Sequence, residues 1–363
     1  MNFDVVIIGA GIAGASVAAE LAPHCRVVML EAEDVPGYHS TGRSAAFWHE
    51  TLGGPLVQPL TTASRGALDA GGFLEPRLSL NVSTVENLPM LDDLEANFSG
   101  SGVRLSRLDY AGIVALVPRA TEFLAGGIVE EDCADIDVAA LHADMLGRFK
   151  RAGGMLKTGF RVDRIARDGD LWRIVSGQEA VRAPVVVNAA GSWADTVATM
   201  AGVATVGISP KRRTVVQVRV DGDDVPPHGP LTIDIAGGFY FKPEAANRVW
   251  LCPHDETATA PCDAAPEEID VAMAIDRFET VTSWRVIAVE RKWAGLRSFA
   301  PDRLPVYGFA PDAPGFFWCA GQGGVGIQTA PAAGALCAYL ILGDRVAIPL
   351  GVDPRSFAPG RFA

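Results

Sequence analysis

Cysteine is scarce in these 363 residues, with six in all at positions 25, 133, 252, 262, 319 and 337. None forms a C-x-x-C pair, and so sparse a set excludes a disulfide framework and fits a reducing compartment. Charge is also low, at 20% of residues, and weighted to one sign: 31 basic against 43 acidic side chains leave a net charge of −12. An acidic chain without a polybasic tail excludes a nucleic-acid footprint and sustained attraction to anionic lipid. The six histidines show no metal-ligand spacing, so no metal site is expected. Uninterrupted apolar runs are missing too. The longest uncharged stretch, 313–343, has the length of a membrane span, but it holds seven glycines and two prolines, with Gln322, Gln328 and Thr329 in its middle. It reads as buried strand, turn and helix, and no transmembrane segment is expected. The opening MNFDVVIIG carries Asp4 and no basic region, a poor secretory signal, so the expected address is cytoplasmic, with a peripheral position at a membrane left open.

What the chain does have is apolar bulk, 49% of residues, enough for substantial cores. At about 150 residues per domain, its length suggests two to three domains. Residues 3–8 (FDVVII) predict a strand, Gly9–Gly14 (GAGIAG) a turn, the Ala-rich run to Leu21 a helix, and residues 26–30 a second strand ending at Glu31. That is a βαβ unit, and a parallel sheet follows from it. Between about 50 and 136 the pattern is weak and no elements are assigned. From Asp137, a plausible N-cap, Val138, Leu141, Met145 and Phe149 recur at helical spacing up to Gly153-Gly154. Strands are expected at 160–165, 171–176 and, fully buried, 183–190.

After residue 208 the texture changes to separated β-like runs at 214–220, 239–242 and 248–252, before a buried strand at 315–320, a glycine turn at 321–326 and a helix to about Leu342. The expected class is α/β: a discontinuous Rossmann-like domain (1–75, 137–207 and 294–363) with a mainly antiparallel-sheet substrate domain (76–136 and 208–293).

The first turn carries chemistry. Gly9, Gly11 and Gly14 permit the tight turn, close approach of a pyrophosphate and close helix-strand packing, while Ile12 and Ala13 begin a helix whose free amides face the phosphates. Glu31 is placed to accept from a ribose hydroxyl, which also disfavours a 2′-phosphate. NAD and FAD share this fingerprint. The segment Tyr38–Ala46 adds hydroxyls and one cation just past the second strand, and the late turn Gly321–Gln328 (GQGGVGIQ) opens onto a helix whose N-terminus suits negative charge.

These residues, with PKRR at 210–213, FYFKP at 239–243, WAGLRSFAPD at 293–302 and GFFWCAGQGGVGIQT at 315–329, resemble the D-amino-acid-oxidase-type flavoenzymes, and within them the D-arginine dehydrogenases. The resemblance covers nearly the whole chain. It implies non-covalent FAD, since Leu296 and Arg297 stand where covalent relatives carry cysteine. It also implies oxidation of an amino acid to an imine that is hydrolysed to a 2-oxo acid and ammonia. Cofactor contacts are implied at Gly9, Gly11, Ile12, Ala13, Gly14, Glu31, Ser40, Thr41, Arg43, Ser44, Ala45, Ala46, Val162, Ala190, Gly191, Trp193, Gly295, Gly323, Gly324, Val325, Gly326, Ile327 and Gln328. Arg213 and Arg297 match the family's carboxylate clamp, Tyr240 a tyrosine that donates beside it, and Gln328 and the Gly324 carbonyl the contacts to the substrate amino end.

Departures from the D-arginine dehydrogenase pattern adjust the substrate. Phe47 and Leu52 replace a His and a Tyr, and Ser83 falls nearest the place of the acid that would pair a guanidinium. A buried cation without a partner is costly, so a D-amino acid less basic than arginine is expected. Trp250 stands where oxidases of the family place a lysine over the flavin, which favours a non-oxygen acceptor such as a quinone or another carrier. His49 is either an ordinary loop histidine or a general base, and the second reading would suit a 2-hydroxy acid. That substrate, and a secondary amine (N-alkyl amino acid), stay open as alternatives. A monomer or weak homo-oligomer acting on a small molecule is expected.

Overall fold

Short aliphatic strands with no polar face must be covered on both sides. In the computed structural model, which describes residues 2–362, they pair as a six-stranded sheet. Its order is Val306–Phe309, Phe316–Ala320, Val185–Asn188, Val5–Ile8, Val27–Leu30, Met155–Lys157, parallel except for the antiparallel edge strand Val306–Phe309. One face packs Val6, Ile8, Val28 and Leu30 in a core with Trp172 and Ile174 of a three-stranded antiparallel sheet, Arg164–Asp168, Leu171–Ser176 and Glu179–Ala183. The other face packs Val5, Ile7, Val27 and Met29 in a core with side chains of the helices Ile12–Leu21 and Ala330–Leu342. Those two helices are built of small residues and approach closely: a Cβ on Gly334 would lie 2.8 Å from the Ser16 backbone.

Several expected elements shift at their ends. The run 183–190 pairs only over Val185–Asn188, because Ala183 closes the preceding hairpin and Pro184 has no N–H to donate. The strand expected at 160–165 begins at Arg164, and Phe160 instead donates its amide to the Glu31 carbonyl at 2.8 Å. The helix after Asp137 spans Val138–Arg151, with Asp137 Oδ1 accepting from the Ala140 amide at 2.9 Å and the chain turning away at Gly153, φ +88°. Within 50–136 lie the helices Gln58–Ala70, Leu88–Asn97 and Tyr110–Leu116.

A nine-stranded mixed sheet forms the second layer. Its order is Thr257–Ala258, Ser209–Val220, Arg248–Cys252, Tyr240–Ala245, Leu231–Asp234, Ser79–Ser83, Gly126–Glu130, Leu105–Asp109, with Val286–Phe299 along the remaining edge of Ser209–Val220. Only Leu231–Asp234 and Ser79–Ser83 run parallel. The boundary expected at 294 falls inside the strand Val286–Phe299, since one continuous ladder carries residues 286–299 along Ser209–Val220. Alternation divides the two faces. Val216, Val218, Val220, Leu251 and Phe241 bury themselves with Phe278 of the helix Glu268–Val281. Arg213, Val215 and Tyr240 point the other way, into a cavity beneath the sheet. Among the described residues, no helix is long and apolar enough to cross a membrane.

Candidate active site

The cavity, of about 350 Å³, runs from the ends of the strands Val5–Ile8, Val27–Leu30 and Val185–Asn188 to the underside of the nine-stranded sheet. This is the crevice at the carboxyl ends of parallel strands where open α/β sheets bind ligands.

At one end sits the first glycine turn. Gly9 has φ +104°, and a Cβ there would lie 2.4 Å from the Ala189 carbonyl oxygen; a Cβ on Gly14 would lie 2.0 Å from that of Gly9. Only glycine fits at either position. Gly11 caps the helix Ile12–Leu21 without a side-chain bond, so the helix end opens onto the cavity. Glu31 accepts from the amides of Ala10 (2.8 Å) and Glu33 (3.0 Å) and lines the cavity, and each oxygen keeps a lone pair for a hydroxyl. Thr41 Oγ1 accepts from the Ile12 amide at 3.0 Å. A glycine-capped helix end, held by Thr41 from one side, and an oriented acid fit the pyrophosphate and ribose of a dinucleotide.

The cavity gathers most of the sequence-predicted cofactor positions. Gly9, Gly11, Ile12, Ala13, Glu31, Ser40, Thr41, Arg43, Ser44, Ala45, Val162, Ala190, Gly191, Trp193, Gly295, Gly323, Gly324, Gly326 and Ile327 all line it. Gly14, Ala46, Val325 and Gln328 do not. Gly14 is instead a packing glycine, as its contact with Gly9 shows. Gln328 needs a larger correction. It is 1% exposed, donates to the His49 carbonyl at 3.1 Å and to Thr61 Oγ1 at 2.9 Å, and accepts from the His49 amide at 3.4 Å, which turns its amide away from the position expected for a substrate contact. Arg43 is likewise engaged: its guanidinium donates to the carbonyls of Ala264 (2.9 Å) and Ala294 (3.1 Å) and pairs with Asp263.

At the other end the lining turns cationic. Arg297 and Arg213 lie diagonally across the ladder, since Lys211 pairs with Arg297 and Arg213 with Gly295, and both line the cavity with Tyr240. Arg297 has no acidic or carbonyl partner among the described residues, and a Cβ on Gly324 would lie 3.2 Å from its Nη1. Burial, and then the Arg213 charge, hold its pKa below the ordinary arginine value. Arg213 is 5% exposed and donates one bond from Nη2 to Glu256 Oε1 at 3.0 Å, while its Nε and Nη1 are buried without partners. Burial pushes the Tyr240 hydroxyl well up, keeping it a protonated donor. Neighbouring Cys252 is pushed up to about 11, chiefly by burial.

Arg212, one residue away, faces the opposite side. There it pairs with Glu267 and with Asp270 at 2.9 Å, so it is a structural cation rather than the free surface charge its KRR context suggests.

Three further expectations need correction. His49 does not line the cavity; it is 5% exposed, 3.9 Å from Glu130 Oε2, and burial with the Arg297 charge pushes its pKa down to about 3. So weak a base gives the 2-hydroxy-acid reading no support. Trp250 also lies off the cavity, edge-on to Trp293 at 5.2 Å, with the Lys242 ammonium 4.8 Å from its ring. Third, two acids stand near the site without lining the cavity, one buried (Glu130) and one partly exposed (Glu256). Glu130, accepting from the Glu50 amide (2.5 Å) and Thr51 Oγ1 (2.6 Å), and Glu256 escape a sequence reading because each meets its partners only through tertiary pairing.

Comparison with known proteins agrees with this geometry. The family model for FAD dependent oxidoreductases (DAO) matches residues 4–340. Glycine oxidase of Geobacillus kaustophilus is 25% identical over 94% of this chain and 93% of its own, and its crystal structure superposes with a TM-score of 0.83 over 98% of both chains. The bifunctional protein ThiO/ThiG of Synechocystis sp. is 25% identical over 99% of this chain, which spans 54% of that longer protein. L-Proline dehydrogenase from P. horikoshii shares the fold at a TM-score of 0.86, 19% identity, over 99% of this chain and 97% of its own. The family implied by the motifs is the one found, whereas these relatives are not D-arginine dehydrogenases.

Proposed function

The chain belongs to the DAO family of FAD-dependent oxidoreductases, and from that premise we propose that it oxidises the C–N bond of an amino acid, a D-amino acid less basic than arginine. The imine formed is hydrolysed by water to a 2-oxo acid and ammonia. The Gly9–Ala13 turn and Glu31 would hold FAD, which would supply the acceptor for the hydride of the α-carbon.

The observation that carries this reading is the pair of buried guanidiniums, Arg213 and Arg297, with Tyr240 beside them and, among the described residues, only Glu256 as a counterion. Two cations side by side are stable when an anion lies between them, and a guanidinium fork matches a carboxylate. Holding the carboxylate fixes the α-carbon, and orientation of this kind is most of what the protein must supply.

The side-chain preference has separate support. Among the described residues, the only acids lining the cavity are Glu31 and Glu33, at the dinucleotide end. Beside Tyr240 the cluster of Ala45, Phe47, Leu231 and Ile233 is apolar. A basic side chain would find no free acid there. For the D configuration the support is the motif resemblance, and rates on both enantiomers of leucine and methionine decide it. No cysteine and no lysine line the cavity among the described residues, which supports non-covalent FAD and an electron acceptor other than oxygen.

Replacing Arg297 with Met keeps bulk and removes the fork. Since a charge-assisted bond contributes roughly 1.5–3 kcal/mol, kcat/KM should fall by about tenfold to hundredfold or more, with the content of acid-releasable FAD unchanged. Near wild-type kcat/KM in this variant would remove the clamp and the amino-acid assignment with it.

A further inference from the structure

His254 stands in the irregular link 253–256 with a backbone φ of +58°, in the left-handed region that costs a residue with a side chain free energy. Its neighbours impose that conformation. The Arg277 guanidinium donates to the Pro253 carbonyl on one side, and on the other the Asp255 carboxylate accepts from the Thr214 amide (2.8 Å) and hydroxyl (2.9 Å). Strain persists where the surroundings over-determine it, and it collects at functional sites. Here it sets the place of the imidazole. Nδ1 donates to the Gly237 carbonyl at 2.9 Å, in the turn that leads into the strand Tyr240–Ala245, and Arg277 also donates to the Gly238 carbonyl of that turn. The ring stands edge-to-face with the Tyr240 ring, their centroids 5.9 Å apart and their planes at 81°. Tyr240 lines the cavity, and His254 supports it from behind.

We propose that His254 is a positioning residue for Tyr240, whose imidazole fixes the tilt of the phenol ring so that its hydroxyl meets the substrate carboxylate. This rests on the reading of Arg213, Arg297 and Tyr240 as the carboxylate site. The hydroxyl lies at the far end of the side chain, so a small tilt of the ring displaces it, and a hydrogen bond weakens steeply with misalignment. Leu231 and Ile233 pack the tyrosine by shape alone, whereas an edge-to-face ring contact is directional. Glycine would adopt the φ of residue 254 without steric cost, so the backbone by itself does not call for a histidine. The imidazole is what the strained backbone holds in place.

The test is calorimetric titration of the FAD-loaded protein with acetate. Tyr240→Phe should raise acetate Kd by about tenfold, the loss of one hydrogen bond to a charged group. His254→Asn accepts the left-handed backbone and keeps an amide to donate to the Gly237 carbonyl, so Tm and FAD content should hold while acetate Kd rises about threefold to fivefold. In a Tyr240→Phe background the same substitution should leave Kd unchanged, because the hydroxyl it acts through is gone. His254→Gly, which relieves the strain and removes the ring, should reproduce this pattern and decides the matter should His254→Asn fold poorly. Unchanged acetate binding in the His254 variants, or equal weakening with and without the Tyr240 hydroxyl, overturns the proposal. If Tyr240→Phe raises Kd and the His254 variants do not, the carboxylate site stands and the positioning role falls. If Tyr240→Phe leaves Kd unchanged, the assignment of Tyr240 falls and that of His254 with it.

Discussion

His49 lies 3.9 Å from Glu130 Oε2 and 3.5 Å from Thr51 Oγ1, and burial, then the Arg297 charge, pushes its pKa down to about 3. The unfolded chain takes up this proton near pH 6.5, about the ordinary histidine value. Between those limits the unfolded state binds more protons, so the contribution is complete above about pH 6.5 and is lost as pH falls toward the folded value, at about 1.4 kcal/mol per unit. The Glu130 carboxyl, raised by burial, works in the opposite direction, and comparing a variant with the parent chain cancels it. His49→Gln should therefore lose less stability between pH 7 and 5 than the parent, read as urea midpoints at the two values. Equal losses would mean that His49 titrates normally in the folded state. The kcat/KM profile of the parent should carry no inflection from His49 across that range.

Turn 321–326 couples two elements, because its backbone forms the wall on which the Arg297 side chain rests. Gly324 lacks the positive φ of its neighbour Gly323, so an alanine there is conformationally ordinary, but its Cβ would press on the guanidinium at 3.2–3.3 Å. Gly324→Ala should keep the fold and FAD while lowering kcat/KM by about tenfold, because a misplaced carboxylate fork misplaces the α-carbon. Unchanged kinetics would show that Arg297 is free to give way. This element also marks what the sequence makes legible. Strand, glycine turn and helix at 5–21 and 316–342 are readable because their signals are local: apolar runs, a turn that only glycine fits, and small helix residues. The period-2 pattern of 214–220 likewise separates the faces of Arg212 and Arg213. The pairing of Arg212 with Asp270 and of Arg213 with Glu256 is not readable, because each joins residues 43 or more positions apart through tertiary packing. The same holds for 50–136, whose strands find partners as distant as Leu231–Asp234.

At the scale of the whole molecule, the cavity exists because two sheets are held apart at a fixed spacing, and polar stitches set that spacing. Ser40 Oγ donates to the Leu296 carbonyl at 2.7 Å and Trp293 Nε1 to the Arg43 carbonyl at 3.0 Å, joining the segment after the second strand to the roof. Deeper, a small three-stranded sheet (Phe47–Trp48, Ala134–Ile136, Leu74–Pro76) is tied to the roof: its Asp135 accepts from Lys242 Nζ at 2.8 Å and from Arg77 Nε at 2.5 Å, while Arg77 Nη1 donates to the Gly229 carbonyl at 2.6 Å. Lys242 and Arg77 are under 10% exposed, so removing their shared acid leaves two nearly buried cations uncompensated. Breaking a buried pair in this way costs about 3–5 kcal/mol. Asp135→Asn should therefore lower Tm by several degrees, and FAD retention should fall with it, because the loosened roof no longer closes the cavity. Asp263→Asn is the contrast: Asp263 is 59% exposed beside Arg43, whose guanidinium keeps two carbonyl acceptors, and an exposed pair contributes little. If the Asp263 variant loses as much Tm and FAD as the Asp135 variant, the outer clasp rather than the buried triad holds the roof in place over the cavity.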